Sequence, residues 1–315
     1  MRHLFIINPL AGRKGGKERL ERQICQAGEK LGIQTEVYET AYRGDGMRFV
    51  KECCALKKPG EKIRFYAVGG DGALNEVVNG AFGAEDVEIG CIPLGTGNDY
   101  VRNYAKPQDF LDIERQLLGK GVKQDLIRYQ IELNGKKQPD RYCVNMFNIG
   151  FDCNVVDQTG RAKNWPFVKG SFAYLLSVAI VLIKKKGADL KVCYEDGTVF
   201  DGKLLLIAVA NGCFCGGGVK GVPLARLDDG LMDVSLIRDV KRRTFVRLFP
   251  KYAKGMHLQD RRVSELMEYV KCRRLAICAN GGAMRLCTDG EITDAERVDF
   301  EVVPKGMIFS VPEGI

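Results

Sequence analysis

Arg64-Phe65-Tyr66-Ala67-Val68-Gly69-Gly70-Asp71-Gly72-Ala73-Leu74-Asn75-Glu76-Val77-Val78 decides how the first part of this chain folds. Arg64 to Val68 is an aromatic and β-branched run ending in glycine, which predicts a strand. Leu74, Val77, Val78 and Ala81 recur at i, i+3, i+4 and i+7, which predicts a helix with one apolar face. A strand, a glycine turn and a helix N-terminus together make a device for holding anions. Glycines let backbone N–H groups approach the charge, and the helix dipole favours it. Asp71 is the odd element, because a carboxylate repels phosphate. It makes sense where a divalent cation, or the proton of an attacking hydroxyl, lies between the two. Taken alone, the same residues also read as a tight βα turn with Asp71 as the helix N-cap.

Two further strand exits share this character. Ile89-Gly90-Cys91-Ile92-Pro93 reads as a buried strand, followed by Leu94-Gly95-Thr96-Gly97-Asn98-Asp99. Leu4 to Ile7 reads as a strand that exits through Asn8-Pro9-Leu10-Ala11-Gly12, with Arg13, Lys14 and Lys17 just beyond. In open α/β sheets ligands collect at the carboxyl ends of strands. The loops match neither a Walker A sequence nor a G-x-G-x-x-G fingerprint after the first strand. Helical stretches carrying Leu20 and Ile24, then Phe49, Val50 and Cys53, alternate with strands at 4–7, 34–38 and 64–68, which predicts a parallel sheet with crossover helices over residues 1–123.

The pattern changes over 124–303. Strands at Leu126–Leu133 and Tyr142–Ile149 flank Asn134-Gly135, and strands from Leu190 and Thr198 flank Asp196-Gly197, both hairpin signals. Lys203–Asn211, Val234–Arg238, Leu275–Ala279 and Val298–Val303 continue the series. The expected architecture is therefore α/β plus all-β: a parallel-sheet domain followed by a β-rich, sandwich-like one.

The chain resembles the diacylglycerol-kinase-like lipid kinases, which include bacterial diacylglycerol kinases, sphingosine kinases and ceramide kinases. The resemblance rests on Asn8 to Gly12, Gly69 to Gly72 with Asn75-Glu76, Pro93 to Asp99, Leu227-Asp228-Asp229-Gly230-Leu231-Met232-Asp233, and Asp289-Gly290-Glu291, in the family's order across almost the whole chain. It departs at Ala73, where the family's GGDGT pattern has threonine. The missing hydroxyl bears on nucleotide affinity, while the backbone donors of the loop remain.

The resemblance implies an ATP- and Mg²⁺-dependent kinase acting on a lipid hydroxyl, with diacylglycerol as the leading acceptor and phosphatidic acid as product. It assigns nucleotide contact to Asn8, Pro9, Leu10, Ala11, Gly12, Thr40, Gly69, Gly70, Asp71, Gly72, Ala73, Leu74, Asn75, Glu76 and Thr96. Glu291 becomes the general base, with Asp71 its rival or a positioner of Mg²⁺. A second, structural Mg²⁺ would take the Asp229 side chain and the carbonyls of Arg226 and Leu231, with Asp125 joining through water. In relatives the extreme C-terminus, here 304–315, returns to the first domain, a return the residues themselves do not reveal. Without the family, Asp289-Gly290-Glu291 reads as a hairpin turn with an exposed glutamate, and 228–233 as a β-turn.

Composition is consistent with this reading. The 315 residues carry a net charge of +8, which suits an anionic nucleotide, an anionic membrane surface or nucleic acid equally well. No aromatic-interleaved basic motif or recognition-helix pattern occurs, so nucleic acid is not an expected partner. The twelve cysteines lack paired C-x-x-C spacing, and with no leader visible at Met1–Leu4 they predict a reduced, cytoplasmic protein; the resemblance to lipid kinases implies that it is peripheral to a membrane. Two histidines leave little material for a histidine metal site. Ser171–Ile183 is apolar and ends in Lys184-Lys185-Lys186. It is shorter than the roughly 20 residues that a membrane span needs. Lys241–His257 mixes Phe245, Leu248, Phe249, Tyr252 and Met256 with arginines and lysines at helical spacing, fitting either an interfacial helix or a packed surface helix, and Pro250 argues against one straight helix. A homodimer is compatible with the family. Two other readings stay open: the same fold acting on a sphingoid base or an NAD-like alcohol, or a nucleotide- or lipid-binding protein that has lost catalysis.

Overall fold

The computed structural model describes residues 1–9, 16–150 and 187–315. Leu10, Ala11, Gly12, Arg13 and Lys14, and the apolar stretch Ser171–Ile183, lie outside the described residues. The chain divides into two compact units, Met1–Asp125 with Pro304–Ile315, and Leu126–Val303.

The first unit is built on β1 (Arg2–Ile7), β2 (Thr35–Glu39), β3 (Ile63–Gly69) and β4 (Val87–Pro93), all parallel, in the order β2-β1-β3-β4. Its helices are α1 (Gly16–Leu31), α2 (Asp45–Leu56), α3 (Asp71–Ala81) and the short α4 (Ile113–Leu117). Every residue of β3 is buried, as expected for a parallel strand covered on both faces. On one face Phe5, Ile7, Tyr66, Val68 and Ile92 meet Leu20 and Ile24 of α1 and Ile113 and Leu117 of α4. On α3, the Leu74–Val77–Val78–Ala81 face read from the sequence is buried. Gly80 lets α2 and α3 approach closely: a Cβ there would stand 2.6 Å from the Met47 carbonyl oxygen. The last segment of the chain adds a strand, with Phe309 parallel to Ile89 of β4. Phe309 is fully buried between Tyr100, edge-on at 4.9 Å, and Tyr104, stacked at 5.2 Å.

The second unit is antiparallel. β5 (Lys120–Leu133) leads into it, followed by β6 (Lys136–Lys137), β7 (Arg141–Cys143), β8 (Met146–Gly150), β9 (Ala188–Tyr194), β10 (Val199–Ala210), β11 (Met232–Arg238), β12 (Met267–Cys272), β13 (Arg274–Ala279), β14 (Met284–Thr288), β15 (Glu291–Ala295) and β16 (Arg297–Val311), which leads out. β10 is central and pairs with β8, β9 and β11. Its alternation separates two apolar clusters. Ile207 and Val209 join Phe147, Val234, Leu286 and Phe300, while Leu206, Ala208 and Ala210 join Met146, Val222 and Val240. Asn134 and Gly135 join β5 to β6 and both take positive φ, 53° and 67°. That is the geometry of a two-residue hairpin. Asp196 caps the β9–β10 turn by accepting the Thr198 N–H at 2.8 Å.

Two helices follow β11: α5 (Arg242–Ala253) and one-turn α6 (Arg261–Ser264). The sequence reading takes Pro250 as an argument against one straight helix; α5 continues through it. The proline sits in the last turn, and the carbonyl it leaves without an N–H donor belongs to Val246. Val246 is 58% exposed, so water can reach that carbonyl.

Candidate functional site

In the first unit all four parallel strands end on one edge. Asn8 follows β1, Thr40 follows β2, Gly70 follows β3 and Leu94 follows β4. The chain turns one way from β1 to β2 and the other way to β3, so β1 and β3 flank the switch point where such sheets bind ligands. The exits are tied to this edge. The Asn8 N–H donates to Val68 O at 3.0 Å, and Thr40 donates its N–H (2.9 Å) and its hydroxyl (3.3 Å) to Ile7 O.

The β3 and β4 loops pack glycine against glycine. A Cβ on Gly95 would stand 2.4 Å from the Gly70 Cα, so no side chain fits between them. Asp71 fastens the pair: its Oδ2 accepts the Asn98 N–H at 2.8 Å and its Oδ1 the Asp99 N–H at 2.9 Å. Asn98 holds a left-handed conformation with φ 53°, and its Oδ1 accepts the Gly95 N–H at 3.0 Å. Asparagine tolerates that backbone region better than most residues. Arg102 donates to Gly97 O at 3.2 Å and lies 3.6 Å from Asp99. The sequence reading assigns Asn98, Asp99 and Arg102 no individual role. The signal for Arg102 is its position one turn after Asp99.

Other assigned residues have structural partners. Glu76 accepts the N–H groups of Gly44 at 2.8 Å and Gly46 at 3.1 Å. Its carboxylate therefore sits at the N-terminus of α2, where the dipole and orphan donors favour it. Asn75 and Leu74 are buried, Gly72 and Ala73 are half-buried, and Thr96 and Pro9 are exposed. Lys17 is ion-paired with Glu39 and lies 3.9 Å from Glu21. Asp125, 1% exposed, accepts the Lys305 N–H at 2.7 Å and so ties down the returning segment.

In the second unit Glu291 opens β15, half-buried, after a turn through Asp289 (φ 46°) and Gly290 (φ 92°). The turn is locked from below. Asp289 accepts the N–H groups of Met146 (3.0 Å) and Val144 (3.2 Å) and the Cys143 thiol (3.2 Å). Burial pushes that thiol well above the usual range, so it stays a neutral donor.

The turn before β11 is held by an ammonium group. Lys271, opposite Asp233 in the β11–β12 register, places Nζ 2.8 Å from Asp229 Oδ2, 2.9 Å from Asp233 Oδ2 and 3.3 Å from Leu224 O. Asp229 Oδ1 accepts the Leu231 N–H at 3.1 Å, Tyr269 donates to Asp233 Oδ1 at 2.8 Å, and Arg226 lies 3.7 Å from Asp228. Among the described residues no group of three His, Cys, Asp or Glu side chains is placed to hold a metal ion.

Beneath α5 lies an apolar cavity of about 50 Å³, walled by Leu205, Ile237, Leu248, Phe249 and Val263. His257 also lines it, 2% exposed, with neither ring nitrogen hydrogen-bonded among the described residues. Burial disfavours the charged ring and lowers its pKa to about 4.

Residues 2–129 match the family described as diacylglycerol kinase catalytic domain, and residues 145–310 match the YegS C-terminal NAD kinase beta sandwich-like domain. A diacylglycerol kinase of Staphylococcus carnosus is 31% identical over 289 residues, covering 91% of this chain and 87% of that protein. The chain belongs to the diacylglycerol kinase family. A second member, from Bacillus subtilis, is 29% identical over 91% of this chain and 88% of its own length. The fold agrees: a diacylglycerol kinase structure from Bacillus anthracis superposes with a TM-score of 0.71 at 19% identity, covering 100% of this chain and 98% of that one. Yeast NADH kinase, at 11% identity and a TM-score of 0.50, shares the fold over 99% of this chain and 83% of its own. The family's two-part architecture, a parallel α/β sheet and a β-sandwich-like part, is the one the sequence predicts. Among the described residues no helix is long and apolar enough to cross a membrane.

Proposed function

We propose that this chain is an ATP-dependent lipid kinase that moves the γ-phosphate to the free hydroxyl of diacylglycerol, giving phosphatidic acid. The observation that carries this reading is the pair of glycine loops at the carboxyl edge of the parallel sheet, latched by Asp71, in a chain whose curated relatives are named diacylglycerol kinases. Nucleotide contact falls to Asn8, Pro9, Leu10, Ala11, Gly12, Thr40, Gly69 to Glu76 and Thr96. A cradle of backbone N–H groups with no Cβ in the way fits a triphosphate. Mg²⁺ bound with the nucleotide would neutralise part of the phosphate charge.

Asp71 spends both carboxylate oxygens on backbone donors, which favours a positioning role for it and leaves the general base to Glu291. The second ion, at Asp229 with the carbonyls of Arg226 and Leu231 and joined by Asp125 through water, fits poorly, because it competes with Lys271 for the Asp229 carboxylate. No step of the proposed reaction depends on it. The protein would work in the cytoplasm at a membrane surface, where its acceptor resides. Homodimerisation is compatible with this.

The test is incubation with ATP, Mg²⁺, NAD and an extracted lipid pool, followed by mass analysis of new phosphate esters. A phosphate added to diacylglycerol is expected. A phosphorylated sphingoid base, phosphorylated NAD, or no new ester at all overturns the proposal.

A further inference from the structure

The turn that leaves β2 is fastened from two sides. Asp45, 1% exposed, accepts the Ala41 N–H at 2.8 Å and the Tyr38 hydroxyl at 3.0 Å, and donates its own N–H to Tyr42 O at 3.2 Å. Glu76 reaches across from α3 to the N–H groups of Gly44 and Gly46. Between these anchors stands Tyr42, 60% exposed and two residues after Thr40. Its hydroxyl interacts with the Arg48 guanidinium, which also pairs with Asp45 and Glu52. A fixed turn that holds a large ring out to solvent adds nothing to the core. Such turns on a rigid sheet are where binding residues are carried.

Two features decide which part of a nucleotide faces this ring. The N-terminus of α2 is the natural anion site at the β2 exit, but the Glu76 carboxylate already fills it, so that helix end offers phosphate nothing. The glycine loops after β3 and β4, where a Cβ on Gly95 would stand 2.4 Å from the Gly70 Cα, remain the place for the phosphates. Distance agrees. β2 is two strands from β3, in the order β2-β1-β3. That is about 9–10 Å at the usual strand spacing, the scale on which the base of an extended nucleoside triphosphate stands away from its outer phosphates. A nucleotide anchored on the glycine loops and laid across the Asn8 exit of β1 brings its uncharged end to Tyr42.

We infer that Tyr42 stacks on the base of the bound nucleotide and sets a preference for purine over pyrimidine. A ring already held by its turn loses little freedom on stacking. The two-ring face of a purine overlaps it more fully than the single ring of a pyrimidine, so stacking favours the purine. This role rests on the kinase reading for the presence of a nucleotide, and adds to it the residue that selects the base.

Calorimetric titration of the full chain with ATP, CTP or inorganic tripolyphosphate, each with Mg²⁺, tests it beside Tyr42→Ala and Tyr42→Phe. Wild type should bind ATP more tightly than CTP. Losing a base–aromatic stack weakens binding by roughly five- to 150-fold, so Tyr42→Ala should lose about fivefold or more in ATP affinity and narrow the gap to CTP. Tyr42→Phe keeps the ring and should stay within about twofold of wild type. Neither variant should change the affinity for tripolyphosphate, which has no base, or the melting temperature. With dioctanoylglycerol dispersed in detergent, Tyr42→Ala should raise KM for ATP by the same factor at level kcat. Tyr42→Ala within about twofold of wild type for ATP, or equal wild-type affinities for ATP and CTP, overturns the stack. So does an equal loss for tripolyphosphate, which would put the defect on the phosphate side, or an equal loss in Tyr42→Phe, which would assign it to the hydroxyl on Arg48. A wild-type protein that binds no ATP removes both this role and the kinase reading. One that shows the full binding pattern but phosphorylates no lipid keeps Tyr42 at the base and sinks the lipid-kinase reading alone.

Discussion

Asp71→Asn separates a latch from a catalyst. In the folded protein the carboxylate holds two backbone donors, Asn98 N–H at 2.8 Å and Asp99 N–H at 2.9 Å. Hydrogen bonds to a charged group contribute about 1.5–3 kcal/mol each, and neutral ones about 0.5–1.5 kcal/mol. Asparagine keeps one acceptor oxygen, so one bond weakens by about 1 kcal/mol. The amide nitrogen is a donor facing a donor, so the other bond is lost. The loop is half-exposed and water recovers part of that loss, which leaves a total of about 2 kcal/mol. Urea unfolding of the first unit should show this deficit. Amide exchange at Asn98 and Asp99 should accelerate by about thirtyfold, the same free energy read locally. Kinase turnover should collapse, because the two glycine loops lose their common fastening. Stability within about 0.5 kcal/mol of wild type, the lower edge of a single hydrogen bond's worth, with unchanged exchange at both amides, would refute the latch. Lost turnover would then mean that the carboxylate acts directly on phosphate or metal.

Glu291→Gln should lower kcat at least a hundredfold while nucleotide affinity and melting temperature stay level, and full activity would remove Glu291 as the base. Ala73→Thr adds a hydroxyl to the first turn of α3 and should tighten ATP binding by about 0.5–1.5 kcal/mol in calorimetry; unchanged affinity would mean that another group already fills that role. His257 has a folded pKa lowered to about 4 by burial against an unfolded value near 6.5, so its stability contribution is whole above pH 6.5 and is lost as pH falls toward 4. That loss is about 3 kcal/mol, and His257→Phe should flatten this part of a urea-unfolding pH series; an unchanged slope would show that His257 is not buried neutral. Lys271→Met removes the ammonium between Asp229 and Asp233, and Mg²⁺ should then raise the melting temperature of the variant more than that of wild type. Equal shifts would show that Lys271 does not compete with a divalent ion.

The sequence by itself determines the local devices. The fully apolar β3, the i, i+3, i+4, i+7 face of α3 and the Asn134-Gly135 turn are legible because each depends on a few neighbouring residues and one backbone period. The change from alternating strands and helices to successive strands is legible for the same reason, and it yields the α/β-plus-β architecture. The family motifs carry the functional reading through their order along the chain.

Tertiary structure decides what joins these devices. Asp71 finds its donors 27 and 28 residues away, Asp289 fastens a segment 143 to 146 residues earlier, and Lys271 reaches Asp229 and Asp233 only because β12 lies beside β11. Strands β12, β14 and β15 are absent from the sequence reading because their short, mixed-polarity runs gain strand character only from their neighbours. Pro250 argues against a straight helix, and only its position in an exposed last turn shows why the helix can continue through it. The placement of Phe309 beside Ile89 is of the same kind. A periodic pattern fixes which face of an element is apolar, but its partner depends on strand order and register. Those are set by burying all the apolar faces at once, and no local stretch of residues encodes that choice.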